Sequence, residues 1–305
     1  MIDIDELNEK YSVEGELGFS EMDGDLIVAN ISNKLGDADI SLYGAQATYF
    51  APHGRYPMLW LSPESFYEEG KAIRGGIPVC FPWFGPHPTD KTKPQHGFGR
   101  LRYWNVKESG TNGIGETYLT LFLTDDEATR ELWNFSFRAE ITFTVSKHLK
   151  VEFKVMNTDN KPFTYSEALH TYFAVSNTQE VTVDGLQGAH YYDGFGDELI
   201  QDSASEITFG EAELNRRYVA THESCIINDK ALRRHIKVAK SGSSVTVVWN
   251  PWKEVCEKSA DMSADAYEAF ICVEPANAYN HSIELQPGEE HILATEMSLV
   301  EKTVE

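Results

Sequence analysis

The chain has 305 residues, 41% of them hydrophobic and 24% charged, with a formal net charge of −22. That balance supports a buried core and excludes disorder. The acidity disfavours nucleic acid and anionic membrane as partners, so any phosphate ligand would need a local cluster of Arg or Lys.

Taken in chain order, the N-terminus "MIDIDELNEK" is acidic and lacks an apolar signal core. No apolar run approaches about 20 residues, so no membrane-spanning helix is expected. "DLIVANIS", "ADISLYGAQATYF" and "YLTLFL" read as strands. "TDDEATRELW" reads as a short helix with Thr124 or Asp125 at its N-cap. "FRAEITFTVS" and "LKVEFKVMNT" read as a hairpin around a short polar link, and "VTVDGL", "SVTVVWN", "AFICVEP", "SIELQPG" and "ILATEMSLV" as later strands. "WKEVCEKSADMSADAYEAF" has room for one or two helical turns. Strands do not alternate with long helices, which argues against a parallel doubly wound sheet. The fold expected is all-β: one antiparallel β-sandwich domain over residues 1–305 with a few short helices, the first 20 or so residues as an appendage. Four scattered cysteines without C-x-x-C spacing read as reduced core thiols of a cytoplasmic protein. A monomer is expected.

Three stretches carry candidate chemistry. "IRGGIPVCFPWFGPHP" (73–88) is apolar apart from one charge, Arg74, and its sequel "KPQHGFGRLRYW" clusters Gln95, His96 and Arg100 around two glycines. Glycine lets backbone approach a ligand closely, and a guanidinium grips phosphate or carboxylate through a planar fork. The alternative is a pair of tight turns with Arg100 and Arg102 solvated. In "SEALHTYFAV", a strand would put His170 and Tyr172 on one face, as for an acid over a sugar; a half-buried, hydrogen-bonded histidine is the alternative. In "AFICVEPANAYNH", Glu274 ends an apolar run, where burial would raise its pKa toward that of a useful general base. A glutamate emerging to cap the next turn is the alternative. The acids Asp184, Asp193, Glu211 and Glu213 are weak candidates on so acidic a chain. There is no P-loop, no H-E-x-x-H and no G-x-G-x-x-G, and the spacing of His96, His170 and Glu274 gives no support for a metal site.

Together, "IRGGIPVCFPWFGPH", "QHGFGRLRYW", "SEALHTYFAV", "VVWNPW", "CVEPANA" and "LQPGEEH" resemble the D-hexose-6-phosphate mutarotases (glucose-6-phosphate 1-epimerases) of the aldose 1-epimerase superfamily. They run in order over most of the chain, from about residue 40 to residue 297. The resemblance implies a galactose mutarotase-like supersandwich that interconverts the α and β anomers of a hexose 6-phosphate without metal or cofactor. It implies Glu274 as general base, His170 as general acid, Arg74, Gln95 and Arg100 as substrate ligands with both arginines on the phosphate, and His96 near C1 or the ring oxygen. A glutamate pushed up and a histidine near 7 would suit a reaction that runs both ways. One position departs: the family's Asp in an E-V-D-R-x-Y-like segment has its counterpart in "ELNRRY", which puts Asn215 there. A mutarotase for unphosphorylated sugars and a non-catalytic sugar-phosphate sensor are the rival readings.

Overall fold

The computed structural model describes residues 3–194 and 196–300. Its sheets are all antiparallel, and the described residues include three short α-helices: α1 (Ile4–Tyr11), α2 (Glu127–Leu132) and α3 (Trp252–Cys256). Among the described residues, no helix is long and apolar enough to cross a membrane.

Two large sheets form the body. One is nine-stranded and includes the expected hairpin of Phe137–Val145 and His148–Asn157. Its strict alternation buries Phe137, Ala139, Ile141, Phe143 and Val145 and turns Arg138, Glu140, Thr142 and Thr144 to the other face. The other sheet carries the site. Its strands are β1 (Val79–Cys80), β2 (Glu167–Leu169), β3 (Tyr172–Ala174), β4 (His190–Asp193), β5 (Leu199–Gln201), β6 (Leu214–Val219), β7 (Val245–Asn250) and β8 (Phe270–Asn277). They lie in the order β5-β4-β6-β7-β8-β2-β1, with β3 also paired to β8. Every residue of β8 is buried. Ile271 and Val273 join the main hydrophobic core, while Cys272 and Ala276 belong to two smaller clusters on the opposite face. Glu274 shares the period of that second face.

A four-stranded antiparallel sheet (residues 17–52) completes the fold. Helix α1 packs by Leu7 into the main core, and the Asn8 side chain hydrogen-bonds both backbone groups of Phe19.

Several local expectations are corrected. "ADISLYGAQATYF" is two strands, Gly36–Ser41 and Gln46–Pro52, because Gly44 (φ +77°) and Ala45 (φ +45°) reverse the chain. The cap of α2 is Asp126, not Thr124 or Asp125: its carboxylate accepts from the Thr129 amide at 2.7 Å in a capping box. Asp125 instead accepts from the Phe137 amide. "SEALHTYFAV" breaks between β2 and β3 at His170 and Thr171, and β8 runs on through Pro275 to Asn277, so Glu274 lies within the strand.

Candidate active site

The loop from Ile73 to Pro88 and its sequel from Pro94 to Leu101 are zipped together. The His96 amide donates to Gly85 O at 2.7 Å and the Phe98 amide to Phe81 O at 2.9 Å. Gly97 makes this possible: it adopts φ +75°, and a Cβ there would lie 2.0 Å from Phe81 O. Ile77, Val79, Phe81 and Trp83 of the loop point into the main core, while Phe84 faces the cavity. The Phe81 ring lies among Phe98, Trp133, Phe137, Phe153 and Tyr165, with centroids 5.2–6.0 Å apart. Its polar residues turn the other way, toward the second face of the β8 sheet.

Between that loop pair and the sheet lies a cavity of about 320 Å³. All seven candidate residues line it: Arg74, Gln95, His96, Arg100, His170, Asn215 and Glu274. Arg102 does not; it pairs with Asp126. Of the weaker acids only Glu213 lines the cavity, where it accepts from Trp249 Nε1 at 2.9 Å.

His170 and Glu274 sit side by side, Nδ1 to Oε1 3.4 Å. His170 is 8% exposed and Glu274 1%. The His170 amide donates to Pro78 O at 3.0 Å, and its ring stacks on Tyr172 (4.8 Å, 14°) with Trp249 edge-on. His170 Nδ1 and both Glu274 carboxylate oxygens have no hydrogen-bond partner. Buried polar groups without partners are rare and costly. Burial pushes the Glu274 carboxyl well above the ordinary range. Burial, reinforced by the Arg100 and Arg74 guanidiniums, pushes His170 down to about 3. The expected histidine near 7 is thus corrected: on their own the protein groups favour a proton on the glutamate over one on the imidazole. His96 is likewise held well below its ordinary value, by burial and then by Arg100.

The cations are differently held. Arg74 donates from Nε to Asp261 Oδ2 at 2.9 Å and from Nη1 to the Tyr172 hydroxyl at 3.2 Å. Asp261 is itself fixed through its backbone carbonyl, which accepts from Ser62 Oγ at 2.6 Å. Arg100 donates from Nη2 to Gln95 O at 2.9 Å, while its buried Nε has no partner. Asp261 and Arg217, a third cavity arginine, were not singled out by the sequence. Only the alternation of β6, which puts Asn215 and Arg217 on one face, could have pointed to Arg217.

His170, Cys272 and Glu274 bring ligand atoms within 4.8 Å of one another. Two features oppose a cation there: burial raises the pKa of both the Cys272 thiol and the Glu274 carboxyl, and Arg74 and Arg100 already supply positive charge to the site.

The sequence profile of the aldose 1-epimerase family matches residues 28–298. A Cenchrus ciliaris protein named "Putative glucose-6-phosphate 1-epimerase" is 35% identical over 262 residues, 83% of this chain and 78% of that one. A protein of the same name from Escherichia coli (strain K12) is 34% identical over 254 residues, 83% of each chain. Among solved structures, one titled "putative mutarotase (YeaD)" from Salmonella typhimurium superposes with a TM-score of 0.88 at 29% identity, covering 96% of both chains. The fold is therefore the antiparallel β fold of the mutarotases. The chain belongs to the aldose 1-epimerase family, and with that membership it is a sugar-directed enzyme of the isomerase type.

Proposed function

We propose that the chain interconverts the α and β anomers of a hexose 6-phosphate, with glucose 6-phosphate the first candidate, by acid–base ring opening and closure. The observation that carries this reading is the buried pair His170–Glu274, 3.4 Å apart with its reactive atoms unpaired, in one cavity with Arg74 and Arg100. Glu274 takes the proton of the C1 hydroxyl while His170 protonates the ring oxygen, and the C1–O5 bond breaks to give the aldehyde. Rotation about C1–C2 presents the other carbonyl face. Closure returns the proton from Glu274 to the C1 oxygen and the O5 proton to His170. Each group contributes about 10²–10⁴-fold. Arg100 and Arg74 hold the phosphate, remote from the chemistry, so their grip supplies position. Gln95, His96 and Asn215 bind hydroxyls, Asn215 with an amide where a carboxylate is usual. The four cysteines are free and buried, which suits a reducing cytoplasm.

A coupled polarimetric assay tests the reading. Glu274→Gln and His170→Asn should fold and lose most activity. Arg74→Ala and Arg100→Ala should weaken use of glucose 6-phosphate far more than use of glucose. Near-full rates in either of the first pair refute the acid–base roles. Equal effects on the two sugars refute the phosphate role and favour a mutarotase for unphosphorylated sugars. No anomer exchange at all would leave a non-catalytic binding protein.

A further inference from the structure

Among the described residues, Arg55, Arg100, Arg217 and Arg233 have no carboxylate oxygen within 4.0 Å. Arg55 and Arg233 are exposed; the other two line the cavity. Arg217 is 6% exposed. Nη2 donates to Gly196 O at 2.7 Å, and the guanidinium lies over the rings of Tyr279 (4.0 Å) and Tyr192 (5.3 Å). Its buried Nε has no partner. A buried cation without a counter-charge is costly, and this chain has acids in excess.

Its place is set by the sheet register. Arg217 on β6 pairs with Val247 on β7, which pairs with Glu274 on β8. Two strand spacings, about 10 Å, separate Arg217 from Glu274. Arg74 is bonded to Tyr172 on β3, which pairs with β8 from the other side. The two arginines therefore stand on opposite sides of the strand that carries Glu274. Beyond Arg217 and Tyr279, a second chamber of about 200 Å³ shares both side chains with the main cavity and is walled by Tyr192, Val219 and Val245. Asp197, at its edge, is exposed and makes no ion pair with Arg217. On the same face of β6, Asn215 replaces the carboxylate that the family resemblance leads one to expect.

We propose that Arg217 is a second anion seat, and that the preferred substrate is a hexose 6-phosphate with a further acidic substituent, a carboxylate, on a ring oxygen away from C1 and C6. This rests on the anomerase reading above. With C1 at Glu274 and the phosphate toward Arg74 and Arg100, the ring edge from C2 to C4 is the part directed at β6. The Arg217 fork fits a carboxylate, and the second chamber takes its linker.

The probes are the 2-, 3- and 4-O-carboxymethyl ethers of glucose 6-phosphate, each against the matching O-methyl ether. The expected result is a kcat/KM at least tenfold higher for one acid than for its methyl partner, a ratio that falls to near one in Arg217→Gln. Arg217→Lys, which keeps the charge but not the fork, should give an intermediate ratio and serves if the Gln variant fails to fold. No preference for any acid, or a preference that survives Arg217→Gln, overturns the seat. Absence of turnover on every hexose 6-phosphate instead overturns the anomerase reading. Calorimetric binding of the same ethers then decides the seat: tighter binding of an acid, lost in Arg217→Gln, upholds it, and equal binding rejects it.

Discussion

Glu274 is a site where function and stability should conflict measurably. Its carboxyl is buried, both oxygens lack partners, and burial raises its pKa well above the ordinary 4.5. The sign follows from proton linkage. A carboxyl raised in the fold binds more protons folded than unfolded, so above pH 4.5 rising pH costs stability until the folded group ionises. The slope is about 1.4 kcal/mol per pH unit. The cost accumulates over whatever range the folded group stays protonated while the unfolded one is ionised. Glu274→Gln has the same shape as the protonated acid and does not titrate, so the variant escapes this cost. His170 adds a confounding slope only where its unfolded form protonates. Its folded value is depressed to about 3, so its stabilising contribution is full above about 6.5 and is lost as pH falls below that. The window from pH 6.5 to 8 therefore isolates Glu274. Urea unfolding of wild type and Glu274→Gln across that window should find the inactive variant more stable, by a margin that widens with pH. A difference that stays flat, or a less stable variant, would refute the claim that the fold holds this carboxyl protonated.

Other consequences are separately measurable. Asp261→Asn removes the carboxylate that fixes Arg74 Nε, so KM for glucose 6-phosphate should rise about three- to tenfold with kcat changed less; a purely catalytic effect would contradict the positioning role. Gly97→Ala puts a Cβ against Phe81 O at a positive φ, and should cost about 1–3 kcal/mol in denaturant unfolding and displace His96 and Arg100. On the nine-stranded sheet, Arg138, Lys107 and Lys154 surround Glu140 and overcome its partial burial, holding its carboxyl down to about 2. Its contribution is present above about pH 4.5 and lost as pH falls toward 2. Glu140→Gln should flatten the acid limb of the stability curve over that range, by about 1 kcal/mol after solvent screening.

Much of this site was legible in sequence because its parts are local. Alternation at Phe137–Val145 declares a strand with one buried face. Glycines beside Gln95, His96 and Arg100 declare a close-packed turn. The family's motifs, in order, tie Arg74 to His170 and Glu274 across 200 residues. What was not legible depends on partners the sequence does not pair. Asp261 looks like any other acid of an acidic chain until the loop after α3 is placed against Arg74. Arg217 sits beside Arg216, and only the β6 pleat sends one to the cavity and the other to Asp202 and Tyr218. The Asp126 cap lost out in sequence to two neighbours equally able to cap. The depressed His170 pKa arises from burial and from guanidiniums 70 and 96 positions away in the chain, so no window around His170 contains it.

That depressed value also bears on how the proposed reaction would start. Ring opening with Glu274 as base needs the proton on His170, whereas the protein groups alone leave it on Glu274. The two arrangements differ by one proton moved across 3.4 Å, with no change in net charge. After burial, the fields of Arg100 and Arg74 are the next causes holding His170 down. A phosphate dianion seated on those arginines cancels their fields and favours the protonated imidazole, so the remote phosphate would set the protonation of the pair as well as the position of the ring. Selectivity for the 6-phosphate should then appear in kcat as well as KM. The expectation can be tested in pieces. Xylose, which lacks the C6 group, should turn over slowly, and added inorganic phosphite should raise its kcat at saturating sugar. Arg100→Ala should abolish that activation while also raising the low basal rate, because removing the cation relieves His170 directly. If phosphite merely competes with xylose, or if Arg100→Ala lowers the basal rate, the arginines hold the phosphate without governing the proton.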